Sequence, residues 1–146
     1  MSTPPSLSLA FSSERFEYRS ELPPTANAGN RFYGRDLATW LAAQLTQAGL
    51  PAAFADEDWG WLVFPQRGSG AEFDIAVYNL SDHGEGGRPG ANRWGLWVRQ
   101  YELRKVMGLF NKRTTVAVSP ALEAAVRHAI EAAGAVPESW DEGDGD

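Results

Sequence analysis

The stretch "EDWGWLVFPQRGSGAEFDIAVYNL", residues 57–80, decides the fold class. Trp59, Trp61 and Val63 alternate with Gly60, Leu62 and Phe64, so a strand here is apolar on both faces. Pro65 ends that run, and "QRGSG" supplies a hairpin loop. Beyond it, Phe73, Ile75 and Val77 fall on one face, and Glu72, Asp74, Ala76 and Tyr78 on the other. Two strands joined by so short a loop pair antiparallel.

Working outward, both flanks read as amphipathic helices. In "YGRDLATWLAAQLTQAGLP", Leu37, Leu41, Leu45 and Ala48 form one stripe, with Trp40 and Gln44 beside it. Asp36 suits the N-terminal end of the dipole, Gly49 the C′ position, and Pro51 prevents continuation. In "SPALEAAVRHAIEAAGAVP", Ser119 is the N-cap, Pro120 sits at N1, Leu122, Val126, Ile130 and Ala133 make the stripe, and Gly134 ends it. "RWGLWVRQY" predicts a further strand, with Trp94, Leu96 and Val98 opposite Gly95, Trp97, Arg99 and Tyr101. "RFEYRSEL", residues 15–22, alternates like a half-buried strand. "ELRKVMGLFNKRTTVAV" predicts a short helical turn over 102–110 and an edge strand over 114–118.

The expected architecture is an α+β two-layer sandwich in β-α-β-β-β-(β)-α order. Four to five mostly antiparallel strands carry two helices on one face. Residues 1–136 form one domain, with 1–12, rich in Ser and Pro, poorly ordered; 137–146 form an acidic, disordered tail.

Composition narrows the chemistry. There is no cysteine, which excludes disulfides, thiolate nucleophiles and Cys-ligated metals. The N-terminus lacks the basic and apolar regions of a secretory signal, and no apolar run approaches a membrane span, so a cytoplasmic protein is expected. The net charge of −6 is unevenly spread. The end from Pro137 onward holds five acids (Glu138, Asp141, Glu142, Asp144, Asp146); 19 acids less those five leaves 14 against 13 bases. Between Arg88 and Arg113, seven bases face a single acid, Glu102.

Catalytic signatures are missing. Of two histidines, His83 lies in the glycine-rich loop "SDHGEGGRPGAN", residues 81–92, beside Asp82 and Glu85; its plainer reading is a solvated loop residue. His128 sits off the apolar stripe of the last helix. "GSG" is not a nucleophile elbow, and "HGEGGRPG" fits neither phosphate-cradling pattern. No cofactor and no metal site is expected.

"FYGRDLATWLAAQLTQAGL" followed by "EDWGWLV" resembles a type of small bacterial protein in which an amphipathic helix leads into a Glu-Asp-Trp-Gly-Trp strand and a Trp-rich strand follows. The likeness spans residues 31–65 and, more loosely, 92–118, and implies no activity. In build, the chain is also similar to immunity proteins of bacterial toxin systems.

The leading expectation is a non-catalytic module that binds a basic protein. Asp56, Glu57 and Asp58 would steer the partner, and Trp59 or Trp61 would anchor it. One alternative is a small enzyme or ligand-binding protein using the 81–92 loop, with Asp82, His83, Arg88, Trp94 and Trp97 lining a pocket. Another is a single-stranded nucleic-acid binder using Trp94, Trp97, Arg99 and Tyr101, which the acidic total disfavours.

Overall fold

A computed structural model describes residues 6–17, 25, 32–80, 92–108 and 110–139. The chain is α+β, with a mostly antiparallel sheet of seven strands and two helices. In chain order these are β1 (Ser6–Ser12), α1 (Arg35–Gln47), β2 (Ala52–Glu57), β3 (Gly60–Pro65), β4 (Phe73–Asn79), β5 (Arg93–Val106), β6 (Phe110–Val116), α2 (Pro120–Ala132) and β7 (Glu138–Ser139). The sheet runs β2-β3-β4-β5-β1-β7, with β6 also on β5. No helix among the described residues is long and apolar enough to cross a membrane.

The strands depart from the sequence expectation, which had too few of them in a different order. The first strand is Ser6–Ser12, in the segment expected to be poorly ordered. It lies inside the sheet between β5 and β7. Its alternation is the cause: Leu7, Leu9 and Phe11 pack toward the core, while Ser6, Ser8 and Ala10 take the other face. Of the strand expected over 15–22, Arg15 to Glu17 are not in a strand, and residues 18–22 lie outside the described residues. Ala52–Glu57 is a strand of its own, so Asp56 and Glu57 are paired rather than loop residues, and Asp58 and Trp59 form the turn to β3.

A further departure is the region expected to hold a helical turn. β5 instead continues unbroken to Val106 and pairs with β6 from Gln100↔Val116 to Val106↔Phe110. Met107 (φ 58°) and Gly108 (φ 68°) make the reversal. Gln100 pairs with Phe73 of β4 and with Val116 of β6, so β6 lies on the same side of β5 as β1. The expected tail also contributes structure: Glu138 and Ser139 pair with Ala10 and Leu9. Residues 140–146 lie outside the described residues.

The core forms where the helices meet the inward residues of the strands. Leu37, Leu41 and Leu45 of α1 and Leu122, Val126 and Ile130 of α2 join one cluster with Phe11, Val63, Ile75, Val77, Trp94, Leu96 and Val98. The Trp40 indole N–H donates to the Ala129 carbonyl (3.2 Å) and ties the helices together. The Ser119 hydroxyl accepts from Leu122 N, capping α2, a contact worth about 1 kcal/mol. Asp36 has more to do than face a dipole: Oδ1 accepts from Leu37 N, and Oδ2 accepts from Glu17 N (2.7 Å), pinning the preceding chain to the start of α1.

The residue before α1 is constrained from two directions. Gly34 holds φ +136°, and a Cβ there would lie 2.8 Å from Cδ1 of Trp61. That indole cannot swing away, because it is buried and its N–H donates to the Phe32 carbonyl at 3.0 Å. Gly34→Ala is therefore expected to cost about 2–4 kcal/mol, from backbone strain plus overpacking. Urea unfolding checks this; an unchanged midpoint would show that the Gly34–Trp61 contact constrains nothing.

Candidate functional site

The strand alternation that builds the core also decorates the opposite sheet face. On β5 that face carries Trp97, Arg99, Tyr101, Leu103 and Lys105; across from them lie Ser8 and Ser6 on β1, Ala76 and Asp74 on β4, and Thr115 and Arg113 on β6. Ser8 and Ala76 flank Trp97, so the indole stands above small neighbours and stays 40 % exposed. Nearby, the Tyr78 ring lies across Gly95, where a Cβ would come within 2.5 Å of it. Glycine is required there because an aromatic ring uses the space.

Asp74 organises the polar centre. It is buried, and it sits directly opposite Arg99. Arg99 Nε donates to Oδ1 at 2.9 Å, the Tyr101 hydroxyl donates to Oδ2 at 3.0 Å, and Arg113 Nη2 lies 3.6 Å from Oδ2. Both guanidinium groups also stack on rings. Arg99 lies 4.4 Å from the Trp97 centroid, and Arg113 lies 3.5 Å from that of Tyr101. The result is a ladder of alternating aromatic and cationic groups, Trp97–Arg99–Tyr101–Arg113, fastened from below by one carboxylate. Stacking fixes each guanidinium plane while leaving in-plane N–H groups at its rim.

The residues singled out from sequence are dispersed. Trp61 is only 6 % exposed and belongs to the core, so it cannot anchor a partner. Trp59 is 43 % exposed in the β2–β3 turn beside the exposed Asp56 and Asp58, and Glu57 is half-buried. Trp94 is fully buried, its N–H donating to the Ser13 carbonyl. It faces away from Trp97, so the two cannot line one pocket. Asp82, His83 and Arg88 lie outside the described residues. Sequence reasoning grouped Trp97, Arg99 and Tyr101 on one face but did not join Asp74 or Arg113 to them. Asp74 was visible as an acid at an outward position; Arg113 joins only through the β5–β6 register, Leu103↔Arg113.

An open cleft of about 550 Å³ lies on the other side of the molecule, lined by Phe16, Tyr33, Trp40, Arg15 and Asp36 among others. It is mostly apolar, Arg15 lies over the Trp40 ring at 4.1 Å, and both Asp36 oxygens already accept backbone N–H groups. Among the described residues no group of three or more His, Cys, Asp or Glu could hold a metal ion.

Tyr101 reports on the ladder. Burial pushes its hydroxyl above the usual value of 10.0, and the hydrogen bond to Asp74 and that carboxylate's charge add to the rise, against the pull of Arg99 and Arg113. The folded state therefore holds this proton more tightly than the unfolded chain. The stability it contributes is complete below the ordinary tyrosine value and is lost as pH rises through the raised one. Asp74→Asn is expected to move the late-titrating tyrosine back toward its ordinary value and to destabilise the fold by about 1–2 kcal/mol, the part-exposed arginines reducing the cost of a broken buried pair. Alkaline ultraviolet titration and urea unfolding measure the two effects, and Tyr101→Phe should remove the late transition altogether.

No family model matches this chain, and neither a curated protein nor a solved structure does so.

Proposed function

We propose that the protein is a non-catalytic protein-binding module whose partner seats on the sheet face opposite the helices, with Trp97 as the anchor. The observation that carries this reading is the 40 % exposure of Trp97 on a ladder held in place by Asp74. An exposed tryptophan beside stacked arginines has the composition of an interface hot spot, where Trp, Tyr and Arg dominate. A ladder already fixed by Asp74 loses little side-chain freedom on binding, which favours affinity. The same bonding argues against catalysis here. The one buried carboxylate is engaged by two cations and a hydroxyl, and no histidine stands on the described face. Immunity proteins of bacterial toxin systems act in this way, by occupying a surface.

The exposure of Trp59 beside Asp56 and Asp58 favours a second reading, in which the β2–β3 turn meets a basic partner. A photo-crosslinking amino acid placed at position 115, 58 or 124 separates the two and leaves both tryptophans in place; Thr115 stands opposite Tyr101, Asp58 lies in the turn, and the exposed Ala124 of α2 serves as the control. A single adduct of defined mass from position 115, with none from 124, is the expected result in the producing cells. An adduct from 58 alone transfers the function to the turn. Equal labelling from all three positions, or none from any, would sink the binding-module reading.

A further inference from the structure

Resting on the binding-module reading, we infer that the ladder and the arm beyond it form a strip that recognises an acidic, extended segment of the partner protein through Arg99, Arg113 and Lys105. The strip follows from register. β4 pairs with β5 only as far as Gln100, and β1 only from Arg93 to Arg99. Beyond Tyr101, which donates its backbone N–H to the Glu72 carbonyl, only β6 is paired with β5. The hairpin therefore leaves the sheet as a two-stranded ribbon. On its outward face Tyr101 and Leu103 stand beside Thr115 and Arg113, and Lys105 follows.

Charge selects the occupant. Arg99, Arg113 and Lys105 share this strip with two acids: Asp74, which is buried beneath two of them, and the half-buried Glu72 beside Tyr101. Lys105 is exposed and makes no ion pair among the described residues, and Arg113 is 51 % exposed at its side chain. The strip thus carries an excess of one positive charge on a chain whose net charge is −6. From Arg99 to Lys105 it extends about 20 Å, with outward residues about 7 Å apart, which is the repeat of alternate side chains in an extended peptide. A guanidinium held flat on a ring offers its rim in the geometry that binds a carboxylate through two parallel bonds.

Nucleic acid fits less well, although it too is anionic. Base stacking needs an open ring face, and here Arg99 lies over Trp97 while Arg113 lies over Tyr101. The apolar groups left on the strip are Leu103, 48 % exposed, and the remaining surface of Trp97. Those suit the aliphatic and aromatic side chains of a peptide.

Fluorescence anisotropy of labelled deca-glutamate against the full chain tests the inference, with deca-lysine and a ten-nucleotide oligothymidine as competing probes. Deca-glutamate should bind saturably and more weakly as salt rises, and Arg99→Gln/Arg113→Gln should lower its affinity about tenfold or more. Because that double variant disturbs Asp74, Lys105→Gln is the independent check; it removes an exposed charge that has no ion pair among the described residues, and about a threefold loss is expected. Unchanged affinity in Lys105→Gln and in the double variant overturns the inference. Tighter binding of oligothymidine than of deca-glutamate also overturns it and gives the strip to nucleic acid. Self-association of the chain that Arg113→Gln abolishes would give the strip to a second copy instead. An adduct from position 115 without deca-glutamate binding removes the acidic partner while leaving the binding module intact.

Discussion

Everything in this molecule hangs on the register of one long strand. β5 holds β4 along one side and β1 followed by β6 along the other. Its alternation sends Trp94, Leu96 and Val98 into the core and Trp97, Arg99 and Tyr101 out of it. A slip of one residue would exchange the two sets, driving a guanidinium into the apolar layer and a fully buried indole into water. The core and the candidate site are thus two readings of a single pattern, and neither can shift without the other.

Asp74 shows how that pattern is made safe. A carboxylate almost wholly removed from water is costly unless it is paired and hydrogen-bonded. Here the cross-strand position puts Arg99 opposite it, and the next outward residue of β5, Tyr101, supplies a hydroxyl. The hairpin then brings Arg113 over the Tyr101 ring from β6. The carboxylate fixes the arginines, and the rings fix their planes. A surface so constrained presents charge and aromatic area that is already ordered, and the proposed binding reading rests on that.

Charge is also partitioned in space. The acidic turn at Asp56–Asp58 sits at the edge strand, three strands from β5, or about 14 Å across the sheet. Through the pairs Trp61↔Val77 and Val77↔Leu96, it lies level with the start of β5 rather than with its ribbon end. The negative total therefore describes neither region. The two regions act as separate surfaces, because exposed charges this far apart are largely screened from each other beyond about 8–10 Å.

The sequence by itself determined those elements whose signals are local. Both helices follow from 3.6-residue periodicity and their terminators, and the antiparallel pairing of β3 with β4 from two alternating runs around "QRGSG". The same alternation separated Trp94 from Trp97. Tertiary structure alone decided three things. "SLSLAFS" became an internal strand because β5 offered it a paired edge and a core for Leu9 and Phe11, which outweighed a Ser-rich composition. "ELRKV", rich in helix formers, became strand because β6 satisfied its backbone along the whole length. The ladder closed only when β4, β5 and β6 set Asp74, Arg99 and Arg113 side by side, although 39 residues separate the first from the last. Periodicity says which face a side chain takes; only strand pairing says which neighbour it meets there, and pairing is settled by the shared core.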